Sequence, residues 1–327
     1  MTHSVQLLGI SNAIVDVLAH VDQDFLDTVS APPGSMSLID EEQARSIYSK
    51  MGPATKMSGG SVANTIAGFA NLGGSAAYIG KVRNDQFGEI FNHDMQSLGV
   101  DIRLQAAEDG APTARSHVLI TEDGQRTMQT YLGACLELAL ADITEASVGS
   151  PKALLLEGYV WDIAEGPALA SKAAEIARSH GTAVAMSLSD SFCVKRHQES
   201  YRAFVANDAD IIVADEDEIY ALLGTKDIDE AVSQLAALGK LFAITRSDKG
   251  SVIVQGDIIV EQAATPVSKV IDSTGAGDAY SAGFLYGWAN DHSFSECAQY
   301  GTYCATMVIQ QLGARIEKGL LDNFQAK

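Results

Sequence analysis

The chain has 327 residues, 46% hydrophobic and 20% charged, which is long enough for one large α/β domain or two smaller lobes and excludes a wholly disordered chain. Lys and Arg number 22 against 42 Asp and Glu, a formal charge of −20 with no local basic patch, so neither nucleic-acid phosphates nor an anionic membrane is an expected partner. The four cysteines, Cys135, Cys193, Cys297 and Cys304, form no CxxC pair, which argues against a zinc cluster or a disulfide scaffold. The start, MTHSVQLLGISNAIVDV, lacks the layout of a secretion signal, and no apolar run reaches the ~18 residues of a membrane span. A cytoplasmic protein is expected.

Residues 5–10 read as a first strand, followed by a polar turn at Ser11 and Asn12 and an apolar stretch that carries Asp16. After the Pro32, Pro33, Gly34 breaker, 40–51 is helical in composition, and 61–71 is a helix of small residues bounded by glycine pairs at 59–60 and 73–74. A short strand at 76–80 and a helix at 85–98 come next, and then the pattern changes: 115–121 and 125–132 read as a hairpin around Glu122, Asp123 and Gly124. Strands at 153–157, 182–188, 210–214 and 241–245 alternate with helices at 165–179, 198–206, 216–223 and 229–238, the pattern of a parallel sheet covered on both faces. Short strands at 251–254 and 257–261 lead to helices at 277–289 and 294–311. No linker or repeat divides the chain. A single α/β domain with a small β-rich lid fits this order.

The sharpest feature is VIDSTGAGDA at 270–279. Glycines at a helix start let successive N–H groups converge on an anion, where the helix dipole also favours negative charge. Asp278, at the end of this nest, is placed to take a proton from an acceptor hydroxyl while the N–H groups of Ala276 and Gly277 stabilise a transferring phosphoryl group. An Asx turn with an ordinary helix cap would produce the same local string. The run is no Walker A loop, and Gly275 and Gly277 stand too late in the chain for a dinucleotide-binding βαβ unit. The seven histidines show no metal-ligand spacing.

Two segments, GGSVANTIAGFANLGGSAAYIGKVRNDQFG at 59–88 and DSTGAGDAYSAGFLYG at 272–287, resemble the signatures of the ribokinase-like, or PfkB, family of carbohydrate and nucleoside kinases. The resemblance covers nearly the whole chain. It implies one kinase domain, 1–327, with a central mostly parallel sheet flanked by helices and a lid built from segments near 12–38 and 101–132. It also implies ATP and Mg²⁺, Asp278 as catalytic base, and an anion hole at Gly275, Ala276 and Gly277. Asn12, Asp16, Gly59, Gly60 and Asn64 match acceptor-site positions, and Thr245, Ser247 and Gly250 match a TxGxxG segment beside the nucleotide. Ser247 and Arg83 replace family glycines. In the NxxE motif associated with metal, Glu218 retains the carboxylate, expected to act through water, while Asp215 replaces the Asn. Some members are activated by K⁺, for which no residue is assigned.

Within the family, GISNAIVDV and PTARSHVLITEDGQRTMQTYLGAC look most like adenosine kinase-type members. Arg126 matches a lid arginine that approaches phosphate, and Leu132 an apolar base contact. Met36, Tyr131, Leu132 and Phe192 would form an apolar wall for a purine. The expected reaction is transfer of the ATP γ-phosphoryl to the 5′-hydroxyl of adenosine, giving AMP and ADP, by a monomer. The alternatives are a kinase for ribose, fructose or a related sugar, and a catalytically weak nucleotide or sugar sensor.

Overall fold

A computed structural model describes residues 5–324. The large sheet has nine strands, ordered from one edge Ile258–Gln262, Ser251–Gln255, Leu241–Thr245, Ile211–Asp215, Ala183–Ser187, Ala153–Glu157, Leu7–Ile10, Ala76–Ile79 and Asp101–Ile102. All pairings are parallel except those of the first two strands in that order. Leu7–Ile10 pairs with Ala76–Ile79 on one side and with Ala153–Glu157 on the other, so the chain changes direction across the sheet at this point. Open α/β sheets bind ligands outside the carboxyl ends of the strands beside such a switch. Asn12 and Glu157 stand there.

Alternate residues feed opposite faces, as the pleat requires. Leu8, Ile10, Leu154, Leu156, Val184 and Ile212 enter one core with Trp161, Tyr201 and Phe204. Leu7, Leu155, Ala185, Ile211 and Ile253 enter the other with Phe69, Tyr280 and Phe284. The second layer holds the helices Ser61–Asn71 and Ala276–Ala289, which carry the two signature motifs and pack on each other. Tight packing there suits their Ala, Gly and Ser content.

The lid is a second sheet of five strands, ordered Met36–Leu38, Arg126–Tyr131, Ala114–Ile120, Ile14–His20 and Thr55–Gly59. The expected hairpin is present, and Arg115 pairs with Tyr131 in its register. Thr55–Gly59 is a strand that the sequence pattern does not reveal, because TKMSG lacks apolar alternation and its order comes from pairing with Ile14–His20. Asp101–Ile102, within a segment expected near the lid, instead pairs with Ala76–Ile79 at the large sheet's edge. Short helices at Gln23–Thr28 and Ser191–Arg196 also lacked enough periodic residues to be read in advance.

Candidate active site

The first motif turns from the lid strand into the helix Ser61–Asn71 through two glycines. Gly60 has φ 96°, and a Cβ there would lie 2.6 Å from the Asn12 carbonyl oxygen. At Gly59 a Cβ would lie 2.3 Å from Asp16 Oδ2, so a bare backbone is what admits the Asp16 carboxylate. Glu157, fully buried, fastens this corner by accepting from Asn12 N–H (2.9 Å) and Val62 N–H (3.1 Å). Burial pushes its carboxyl up to about 7 against those hydrogen bonds. Asn12 Oδ1 is buried without a donor among the described residues, which leaves an acceptor for a ligand hydroxyl. Asp16 is pushed up to about 6 by burial, opposed by the charges of Arg315 and Arg126 and reinforced by that of Asp278.

The second motif enters its helix through Gly275, left-handed at φ 75°, and presents Asp278 in the first turn. Asp278 accepts from Ser61 Oγ–H (2.7 Å) and Asn64 Nδ2–H (3.0 Å), which join the two motifs at one carboxylate. Burial raises it to about 6; the two hydrogen bonds and Arg315 oppose the rise. Ala276 N–H already donates to the Ser273 carbonyl at 3.2 Å. The N–H groups of Gly277 and Asp278 have no protein acceptor among the described residues and are the open donors of this helix start. The nest is therefore shifted by one residue from the pair expected. Upstream, Asp272 accepts from Thr274 N–H (3.0 Å) and Gly313 N–H (2.9 Å) and lies 2.6 Å from Arg126 Nη2. Arg126 thus ties the lid to the second motif.

Two adjoining cavities open along the Ala276–Gly277 turn. The smaller, of 260 Å³, is lined by Ser61, Asp215, Glu218, Gly275 and Asp278 among others. The larger, of 610 Å³, has Thr245, Ser247, Gly250, Val270 and Ile309 among its lining residues. The larger falls within the usual range of small-molecule pockets. Glu218 is raised to about 8 by burial and by neighbouring Asp215. Asp215 Oδ1 accepts from Glu218 N–H (2.7 Å) and Glu218 Oε2 from Asp215 N–H (2.9 Å), so Asp215 serves as a helix cap.

The lid's register decides which side chains share a face. Asp16 stands opposite Met57 and Ser116, Ser116 opposite Thr130, and Thr130 opposite Leu38. The next row on that face is Leu18, Val118, Met128 and Met36. Met36 is 51% and Leu38 62% exposed, apolar surface held beside a polar site. Leu132, half-buried, follows the strand. Tyr131 pairs with Arg115 on the opposite face and stacks on its guanidinium (5.4 Å), so it leaves the expected wall. Phe192 is 75% exposed on the separate helix Ser191–Arg196, with Lys195 over its ring.

Glu157, Asp272, Ser61 and Arg315 belong to this constellation and were given no role from sequence, although Ser61 and Asp272 lie inside the two signature segments. Glu157 ends the apolar run ALLLE, an acid placed where a parallel strand meets its ligand edge, which is a local signal outside those segments.

The pfkB family carbohydrate kinase pattern matches residues 37–318. The chain belongs to this family. It is similar to the adenosine kinase of Sinorhizobium meliloti, with 44% identity, 98% of each chain covered and a TM-score of 0.89. A probable sugar kinase from Rhizobium etli is 41% identical over 98% of both chains, also with a TM-score of 0.89. A 5-dehydro-2-deoxygluconokinase of Clostridium perfringens is 26% identical, with 78% of each chain covered. The chain is thus a kinase of the nucleoside and sugar class, whose members generally use ATP and Mg²⁺. No helix among the described residues is long and apolar enough to cross a membrane.

Proposed function

We propose that this kinase transfers the γ-phosphoryl of ATP to the 5′-hydroxyl of adenosine, giving AMP and ADP. The observation that carries this reading is the apolar row of Met36, Met128 and Val118, with Leu38 beside it, on the lid face that also bears Asp16. A purine would cover that surface while Asp16 and Asn12 take the ribose hydroxyls. The similarity to an adenosine kinase along nearly the full chain supports the same acceptor.

Asp278, hydrogen-bonded by Ser61 and Asn64, orients the acceptor hydroxyl and takes its proton. A carboxylate raised to about 6 is ionised at neutral pH yet basic enough for that task. The open N–H groups of Gly277 and Asp278 face the charge that develops on the transferring phosphoryl. The nucleoside half of ATP is assigned to the 610 Å³ cavity beside Thr245, Ser247 and Gly250. Arg126 holds the lid closed through Asp272, which excludes water from a phosphoryl group that would otherwise be hydrolysed.

Glu218 fits a divalent cation: it is a buried oxygen donor in the 260 Å³ cavity beside Gly275 and Asp278, and its raised pKa marks a carboxylate short of positive charge. Bound there directly or through water, Mg²⁺ would neutralise phosphate charge. Asp215 would support it from its capping position. One chain supplies every residue named, so a monomer suffices. Four buried, unpaired cysteines suit the reducing cytoplasm.

A second reading, a sugar acceptor, draws on the Ser116 and Thr130 hydroxyls, 2.9 Å apart and in register with Asp16, which offer polar contacts to a smaller polyol. The deciding experiment measures ADP formation with Mg·ATP across adenosine, other nucleosides, ribose, fructose and fructose phosphates, with product mass checked. AMP from adenosine supports the nucleoside reading. Preferential turnover of a sugar overturns it while leaving the phosphoryl-transfer machinery intact.

A further inference from the structure

Beyond the last long helix, a turn of Gly313, Ala314, Arg315 and Ile316 touches both motifs. Gly313 N–H donates to Asp272, and Ala314 Cβ lies 2.3 Å from where a Cβ on Gly275 would stand. On the other side the Ile316 side chain packs against Gly68, and its carbonyl accepts from Asn71 Nδ2–H (2.8 Å), both within the helix Ser61–Asn71. Arg315, between these anchors, reaches the lid strand that ends in Gly59. Its Nη2–H groups donate to the Ser58 carbonyl and to Ser58 Oγ (2.5 Å), with Asp94 Oδ2 3.7 Å away. Nη1 is sealed from solvent and has no acceptor among the described residues. The guanidinium's ion pair with Asp94 is a long one, and Asp16 and Asp278 feel its charge as well.

We propose that Arg315 is a positioning residue for phosphoryl transfer: clamped on Ser58 between the two motifs, it supplies the fixed positive charge of the corner that carries Asp278 and Asp16. The proposal rests on the reading of Asp278 as the base. Other ionisable groups are coupled to these carboxylates or to the guanidinium, Asp94 among them on the helix Gln86–Ser97. Asp16 and Arg126 belong to the lid, Glu157 ends a central strand, and Glu218 lies on the helix Glu216–Leu223. Burial works against ionisation at Asp16 and Asp278 alike, and Arg315 is the cation whose field reaches both.

The test is the pH dependence of kcat/KM, with adenosine or whichever panel acceptor turns over, for wild type, Arg315→Met and Arg315→Lys. Removing the cation should move the acid limb to higher pH by about one unit. The loss of turnover is then greater at pH 6 than at pH 8.5, with KM for ATP unchanged. Arg315→Lys should restore the limb. A folded Arg315→Met with an unmoved limb, or an equal loss at every pH, overturns the proposal and reduces Arg315 to a structural clip. If Arg315→Met does not melt cooperatively, Asp94→Asn takes over: less negative charge beside the guanidinium should move the limb to lower pH, and an unmoved limb overturns the proposal. Asp278→Asn separates the two ideas. Retained turnover there defeats the base assignment, whereas lost turnover with an unmoved Arg315→Met limb defeats Arg315 alone.

Discussion

Replacing Asp278 by Asn should make the protein more stable and almost inactive, with the stability gain confined to one side of the pH scale. The carboxyl rises from its ordinary 3.8 to about 6 because burial disfavours its charged form. A raised acid leaves the folded state unpenalised below its ordinary value and penalised once pH exceeds the folded one. Above pH 7 that rise corresponds to an upper figure of about 3 kcal/mol. Against this, the Asn amide cannot accept from Ser61 Oγ (2.7 Å) and Asn64 Nδ2 (3.0 Å) at once, and losing one such bond costs about 1 kcal/mol. The net gain at pH 8 is about 1–2 kcal/mol, a rise in Tm of a few degrees, and it should vanish near pH 4. Thermal melts at both pH values, run with a coupled ADP assay, measure the two effects together. Turnover should fall by about 10²-fold or more. Equal melting temperatures for variant and wild type at pH 8 would refute the burial argument, and turnover within about tenfold of wild type would refute the base role.

Gly59→Ala drives a methyl onto Asp16 Oδ2, so KM for the acceptor should rise about tenfold while KM for ATP holds; parallel changes in both would point to a general distortion. Glu157→Gln keeps one acceptor for two inward N–H groups, those of Asn12 and Val62, and should cost about 1–3 kcal/mol in urea unfolding. Arg126→Met leaves Asp272 without its cation in a pair that is nearly solvent-free, and should destabilise by roughly 3 kcal/mol. It should also raise ADP formed without phosphorylated acceptor; a product ratio that stays at unity would show that the lid closes without this tie.

Much of this molecule was legible in the linear chain because the signals are local. A parallel sheet buried on both faces writes itself as apolar strands separated by amphipathic helices, and Ala153–Glu157 and Leu241–Thr245 have the bounds read from sequence. The nest at Gly275 and the pair Gly59, Gly60 were readable because glycine marks backbone that no side chain permits, and the resemblance of both motifs to one family supplied the chemistry. Thr55–Gly59 was not, since a lid-edge strand without apolar alternation is defined by its partner. Nor could spacing reveal that Asp278 is held by Ser61 and Asn64, more than two hundred residues earlier. The same holds for Arg126, which meets Asp272 from another sheet, and for Tyr131, sent to the far face by a one-residue alternation. Arg315 is the clearest case, ordinary in its local string yet placed by folding against carboxylates from both halves of the chain. Residue type and local spacing carry backbone conformation and burial pattern, whereas the electrostatics of the site depend on distances that exist only after helices and sheets have packed.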